Sequence, residues 1–298
     1  MSKVYDKDDL GNRMKAYEAP STGRRVFKGQ PLVVRLDGKS FHTFTKGLER
    51  PYDQSLSDLM VATMKALVDR FQANIGYTQS DEITLVFLSE PEDRGDLNFD
   101  GRLQKIETLT ASFASVYFNK HLRNYLPQKA DELPIFDSRA FAVPNVQEAY
   151  HSLLWRQQDC TKNAISMAAQ SMYKQSELQG KNGSELQEMM FQKGVNFNDY
   201  PFFFKRGTFA RREGVERELS YAELQKIPAQ YRPTGPVIRS EIVSHDYWLS
   251  KLENPIETLF GFQDTAAVAI SALRQIATNG GTEDADIAAD TLRILGLF

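Results

Sequence analysis

The order of strand and helix patterns between residues 31 and 173 constrains the fold of this chain more than any other feature. Short apolar runs are typical of buried strands, and apolar residues three and four positions apart are typical of helices. These patterns predict strands at residues 32–37, 75–77, 83–88 and 136–143, and helices at residues 54–71, 103–122 and 145–173. Two helices placed between four strands in this order predict an α+β fold, namely a ferredoxin-like antiparallel sheet with helices on one face.

Beyond residue 173 the patterns are less regular. Residues 200–212, YPFFFKRGTFARR, predict an aromatic strand with a turn at Lys205-Arg206-Gly207. The remaining residues mix proline-rich extended pieces with helices near residues 265–277 and 284–295. We therefore predict one domain over residues 1–213 and a C-terminal extension over residues 214–298 that packs on it and whose role is open.

Charge is unevenly distributed along the 298 residues, although the formal net charge is only −3. Residues 214–298 carry 12 acidic and 7 basic residues, whereas residues 1–213 carry 27 acidic and 29 basic residues. A mildly basic body is compatible with a polyanionic partner but does not require one.

The single cysteine, Cys160, excludes an internal disulfide and any cysteine-rich zinc site. The first ten residues, MSKVYDKDDL, contain no apolar signal core, and no apolar run approaches membrane-spanning length. These features predict a cytoplasmic protein without a membrane partner.

Acidic residues end the first predicted strand and occupy the predicted hairpin between the second and third strands. Asp37 is followed at once by Gly38, and Asp81-Glu82 lie in the polar stretch TQSDE. Either stretch alone fits ordinary turn chemistry. In a ferredoxin-like sheet, however, the first strand lies beside the hairpin, so that Asp37 and Asp81 would meet. Two adjacent carboxylates predict a site for two Mg²⁺ ions, as in the palm of polymerases and nucleotide cyclases.

Five motifs occur in the order and approximate spacing of a known family. They are VVRLDGKSFHTF, RPYD, YTQSDEITLVF, WRQQDC and FFKRGT. Over residues 10–212 the sequence resembles the tRNA-histidine guanylyltransferase family, which includes the 3′-to-5′ polymerases that repair tRNA 5′ ends. The resemblance implies a palm-like nucleotidyltransferase that uses Mg²⁺, GTP and ATP and acts on the 5′ end of a tRNA or another RNA. It also implies a homo-oligomer, since the family tends toward tetramers.

The resemblance assigns roles to individual residues. Asp37 and Asp81 would be the catalytic metal ligands, together with the carbonyl of Gly38. The residues that would bind nucleotides are Lys39, Ser40, Phe41, His42, Arg50, Ser80, Glu82, Lys205 and Arg206, and those that would contact tRNA are Asn163, Arg211 and Arg212. For His42 a packed imidazole is an alternative, and for Phe41 a place in the core is favoured over base stacking.

The sequence departs from the family pattern immediately after WRQQDC. Thr161 stands where the family has a histidine, and residues 161–167 lack the Tyr-Asn that follows it in the family. Several functions therefore stay open: guanylate addition to tRNA, template-dependent repair of tRNA 5′ ends, and a nucleotide cyclase or small-molecule nucleotidyltransferase. A non-catalytic RNA-binding relative is disfavoured by the presence of Asp37 and Asp81.

Overall fold

A six-stranded antiparallel sheet forms the centre of the computed structural model, which describes residues 7–27, 29–88, 98–261 and 287. The strands are β1 (Leu32–Gly38), β2 (Ile75–Gln79), β3 (Glu82–Phe87), β4 (Phe136–Ala142), β5 (Thr208–Arg217) and β6 (Val237–His245). Their order across the sheet is β4-β1-β3-β2-β5-β6. The first four strands thus have the order of a split βαβ arrangement, which confirms the predicted ferredoxin-like core.

Ten helices accompany the sheet within the described residues. They are α1 (Lys7–Thr22), α2 (Phe41–Phe44), α3 (Gln54–Phe71), α4 (Leu103–Tyr125), α5 (Val146–Gln170), α6 (Gln175–Leu178), α7 (Gly183–Gln192), α8 (Phe202–Arg206), α9 (Tyr221–Gln225) and α10 (Pro255–Phe260). As the sequence predicts, α3 begins at residue 54, and the Asp53 carboxylate caps it by accepting from the Leu56 amide at 3.0 Å. No helix in the described ranges is long and apolar enough to cross a membrane.

The two faces of the sheet are covered by different helices. Leu32, Val34 and Leu36 of β1 join the stripes of α3 and α4 in one buried apolar cluster. Residues at odd positions of β1 point to the opposite face, because side chains alternate along a strand. There α5 packs: its Arg156 Nε donates to Glu82 Oε1 at 2.7 Å. Asp37 therefore lies on the α5 face.

The structure confirms the predicted hairpin and changes the bounds of its strands: Gln79 and Glu82 are buried in β2 and β3, and only Ser80 and Asp81 form the turn. The predicted aromatic strand over residues 200–212 is partly wrong. The first half of the predicted aromatic strand is instead helix α8, which starts after Pro201. It ends at Gly207, whose φ of +74° favours glycine, and β5 begins at the next residue.

Strand β5 runs past residue 213 and pairs with β6 up to Arg217. The pairing keeps residues 214–250 in the same compact unit as the sheet, so that the described residues divide differently from the predicted boundary at residue 213. The two units are residues 1–250 and 251–298. The second unit, in its described part, contains α10, which starts with a proline and ends at Gly261. The helices predicted near residues 265–277 and 284–295 lie outside the described residues, apart from the helical Ile287.

Candidate active site

The sheet register brings Asp37 and Asp81 together as the sequence predicts. Asp37 is the Cα partner of Glu82 on β3, and the Gly38 amide donates to the Asp81 carbonyl at 3.0 Å. Ser80, at the turn, has a φ of 50°, and its hydroxyl donates to Asp81 Oδ1 at 3.1 Å. The two acids are thus fixed by backbone hydrogen bonds at the end of the central strands.

Burial and a neighbouring carboxylate raise the pKa of each acid. For Asp37 the largest cause is burial, followed by the charge of Asp137 on β4, whereas Arg139 and Arg35 act in the opposite direction. For Asp81 the largest cause is again burial, followed by the charge of Asp37. A bound cation would offset this repulsion, since two nearby carboxylates cannot both ionise freely.

The oxygen ligands at this site suit Mg²⁺ better than a metal ion whose ligands must all come from protein side chains. In the part of the chain that the structure describes, no group of three His, Cys, Asp or Glu side chains could hold a metal ion. Magnesium is commonly held by one or two carboxylates together with water and substrate phosphates. Asp37, Asp81 and the Gly38 carbonyl fit that requirement.

Gly38 is required by the packing of the residues that follow it. A Cβ at this position would lie 2.3 Å from the Phe41 ring. That ring is 2% exposed and packs on Phe44, Phe118 and Phe136 at centroid distances of 5.0–5.7 Å. The Phe41 side chain thus belongs to the core, which was the favoured alternative, and it also lines the pocket beside the acids, so that its contact with a nucleotide stays a prediction.

A pocket of about 430 Å³ opens beside the acids. Its polar lining includes His42, Arg50, Ser80, Asp81 and Asn163, and its apolar walls include Leu56, Met60, Ala164, Met167 and Phe203. Pockets of this size and mixed lining are typical of small-ligand sites. The structure thus gathers predicted residues from α2, the link before α3, the hairpin turn and α5 around one cavity.

Glu82 is placed differently from the other residues that the sequence predicts to bind nucleotides. Its side chain is buried, and it accepts from Arg156, which also donates to Asp159 at 3.0 Å. Arg156 thereby places a positive charge under the acid cluster and lowers the pKa of Asp37. The sequence patterns assigned Arg156 no role in the site, although it lies within the motif WRQQDC. The signal was an arginine among acids at helical spacing.

Lys205 and Arg206 occupy the end of α8 next to α5. The Thr161 hydroxyl donates to the Lys205 carbonyl at 3.0 Å and accepts from the Arg206 guanidinium. Arg206 also lies over the Trp248 ring at 4.5 Å. Thr161, which replaces the family histidine, therefore holds a predicted phosphate-binding residue in place.

The other predicted residues lie outside the pocket. Lys39 has its side chain exposed, and its amide donates to the Ile135 carbonyl at 2.9 Å. On β5, Arg211 Nε donates to Glu213 at 2.6 Å, and Arg212 pairs with Asp69 at the far end of α3. The tRNA contacts of the β5 arginines stay a prediction.

Comparison with known proteins points to the same chemistry as the geometry. The family model of tRNAHis guanylyltransferase matches residues 11–144. The tRNA(His) guanylyltransferase of Saccharomyces cerevisiae is 32% identical over 201 residues, which cover 61% of this chain and 83% of that protein.

Two solved structures of bacterial tRNA(His)-guanylyltransferase-like proteins share the fold with a TM-score of 0.64. The complex with ATP is 38% identical and matches 68% of this chain and 88% of that chain. The complex with GTP is 31% identical and matches 84% of this chain and 94% of that chain.

Proposed function

Because this chain belongs to the tRNAHis guanylyltransferase family, a family of nucleotidyltransferases, we propose that it adds a nucleotide, guanylate from GTP, to the 5′ end of a tRNA. Growth in this direction is 3′-to-5′. The observation that carries the proposal is the backbone-fixed pair of Asp37 and Asp81, of which Asp81 lines the pocket of about 430 Å³.

The reaction joins two substrates. An oxygen of the RNA 5′ phosphate first bonds to the α-phosphorus of ATP and displaces pyrophosphate, which gives an adenylated end, or the RNA arrives with a 5′ triphosphate. The 3′-hydroxyl oxygen of the incoming nucleotide then bonds to the 5′ phosphorus of the RNA, and AMP or pyrophosphate leaves. The use of both nucleotides is supported by the bacterial relatives, whose structures hold ATP or GTP.

Asp37, Asp81 and the Gly38 carbonyl would hold two Mg²⁺ ions. When bound, the ions supply charge neutralisation for the phosphates and activation of the attacking oxygen. The protein itself orients the two carboxylates and excludes water from the reacting groups. Ser80 fixes the Asp81 carboxylate, the Gly38–Asp81 hydrogen bond fixes the spacing of the acids, and the pocket walls shield the reacting groups.

Charged and polar side chains on the pocket would position the nucleotides. Arg50 lies on the pocket lining, where its guanidinium would take triphosphate oxygens bidentately. The amides of Ser40, Phe41 and His42 precede or begin α2 and would donate to phosphates. Lys205 and Arg206 would bind the phosphates of a second nucleotide, and Asn163 would meet either a nucleotide or the RNA.

A direct assay is to incubate the protein with Mg²⁺, each of the four labelled NTPs and tRNAs with defined 5′ ends, intact or lacking the first nucleotide. Asp37→Asn and Asp81→Asn should abolish labelling. A matched control is Asp131→Asn, which changes a fully exposed acid. Wild-type activity in either active-site variant would contradict the assignment, and a cyclic product from GTP alone would identify a cyclase instead.

Template-dependent repair of tRNA 5′ ends is the second candidate, and the replacement of the family histidine by Thr161 favours it. The same assay separates the two. Addition of G without a template base supports the tRNA-histidine role, whereas addition of whichever nucleotide pairs with the template strand supports repair.

We also propose that the protein works in the cytoplasm as a homo-oligomer. A reducing compartment suits a chain whose lone cysteine is a buried free thiol. The tetrameric state rests on family resemblance, and size-exclusion chromatography with light scattering would test it.

A further inference from the structure

A second surface adjoins Asp37 on the side away from the pocket. It consists of Arg35 on β1, Asp137 and Arg139 on β4, and Trp155 on α5, and we refer to it as the Trp155 surface. Arg35 and Arg139 are direct Cα partners across the two strands, as are Asp37 and Asp137. β4 is the edge of the sheet, and its residues Asp137 and Arg139 are exposed, so this part of the face is open to solvent.

The two arginines are an unusual cross-strand pair. Like charges directly opposite each other on neighbouring strands are destabilising. Each arginine has only a long ion pair with a carboxylate: Arg35 lies 4.0 Å from an oxygen of Glu82, and the half-exposed Arg139 lies 3.5 Å from an oxygen of Asp137. An anion between the two guanidiniums would remove their repulsion, and guanidinium groups bind phosphate well.

Trp155 lies beside this pair and is 53% exposed. The guanidiniums of Arg156 and Arg35 lie over its ring, at 4.5 and 5.4 Å from the centroid. The ring is therefore held in place by two cations while about half of the residue's surface still faces solvent. A fixed, exposed aromatic ring is the usual platform on which proteins stack an unpaired base.

The position of the Trp155 surface separates it from the nucleotide pocket. Ser80 and Asp81 line the pocket, whereas Arg35, Arg139 and Trp155 do not. Asp37 lies on the same face of the sheet as Arg35. The charge of Asp137 raises the pKa of Asp37, and the charge of Arg139 lowers it. The two acids thus lie between a pocket on one side and a basic, aromatic surface on the other, and the proposed reaction needs two substrates at one phosphorus.

We propose that the Trp155 surface binds the 5′-terminal nucleotide of the RNA, with its phosphate between Arg35 and Arg139 and its base stacked on Trp155. The inference rests on the proposed function, because it says where the RNA substrate binds relative to Asp37 and Asp81. In this arrangement the pocket binds the incoming nucleotide, and the RNA end reaches the acids from the Trp155 surface.

The test measures binding and addition with Trp155→Ala, Trp155→Phe and Arg139→Gln. The probe is a 3′-fluorescent tRNA transcript that carries a 5′ monophosphate, a 5′ hydroxyl, or an abasic first nucleotide, at one fixed salt concentration because affinity depends on salt. Controls are Tyr221→Ala, an exposed ring on α9, and Arg123→Gln, an exposed arginine with one exposed carboxylate partner. GTP binding is measured separately by equilibrium dialysis.

Trp155→Ala should weaken binding of the phosphorylated transcript by about tenfold, and Trp155→Phe should restore most of it, since stacking needs a ring. The abasic transcript should bind wild type and Trp155→Ala equally. Arg139→Gln should remove the preference for a 5′ phosphate over a 5′ hydroxyl. GTP binding and the two controls should be unchanged.

Unchanged RNA affinity in both Trp155→Ala and Arg139→Gln would overturn the inference while leaving the proposed function intact. Wild-type protein that binds the transcript but adds no nucleotide would refute the proposed function. The affinities of the variants for the transcript would still show whether the Trp155 surface binds RNA. Wild-type protein that binds no transcript would refute both.

Discussion

The buried ion pair between Arg156 and Glu82 offers a sharp test of how this site is held together. We predict that Arg156→Met, which keeps a long side chain but removes the charge, destabilises the protein strongly. Both side chains are 9% exposed, their atoms are 2.7 Å apart, and Arg156 also serves Asp159 at 3.0 Å. Removing the cation leaves the buried Glu82 with only the more distant Arg35, at 4.0 Å, to offset its charge.

Breaking a buried pair from one side typically costs about 3–5 kcal/mol. For a unit of about 250 residues, each kcal/mol corresponds to roughly 2–4 °C in Tm. We therefore expect Tm to fall by roughly 10 °C. The pKa of Asp37 should rise further, because Arg156 is one of the cations that lower it. The acid limb of the pH–activity profile should then move to higher pH.

Thermal melts of Arg156→Met, Glu82→Gln and the double variant would measure the coupling. The double variant should be more stable than Arg156→Met alone, because the buried charge is gone. The matched control is Arg217→Met, whose two carboxylate partners are as close but about one-third exposed. Arg217→Met should lower Tm much less than Arg156→Met does, because exposed ion pairs contribute little to stability. Equal Tm values for Arg156→Met and wild type would refute the reasoning.

Three further predictions address the acids, the turn and the family departure. Asp37→Asn should raise Tm by a few degrees at pH 7 without metal and abolish the Mg²⁺-induced rise seen in wild type. The native acids have raised pKa values, so wild-type stability without metal should fall as pH rises from their ordinary pKa of 3.8 through the raised values. Gly38→Ala should cost about 1–3 kcal/mol by overpacking the Phe41 ring and lower activity, as urea unfolding and initial rates would show. Thr161→Val should cost about 0.5–1.5 kcal/mol and weaken ATP binding, measured by calorimetry, because the Arg206 guanidinium loses an acceptor.

Local patterns predicted the core well. The spacing of apolar residues predicted α3 with the bounds that the structure shows. The order of strands then determined the sheet, because a split βαβ arrangement leaves one way to pair β1 with β3. Asp37 and Asp81 could be brought together on that basis alone.

The errors arose where tertiary contacts decide the outcome. Polar Gln79 and Glu82 look like turn residues, but Glu82 is buried because Arg156, 74 positions away, compensates its charge. The aromatic stretch before Gly207 looks like a strand, yet its first half is a helix whose rings pack on Tyr52.

The hydrogen bond from the Gly38 amide to the Asp81 carbonyl has a consequence for when the enzyme loses activity. The bond joins the last residue of β1 to the turn that precedes β3, so it can break when this turn opens, without separation of the two strands. The Gly38 amide should therefore exchange with deuterium faster than the amides in the middle of β1. The spacing of the two acids, and activity with it, should be lost below the temperature at which the whole sheet melts.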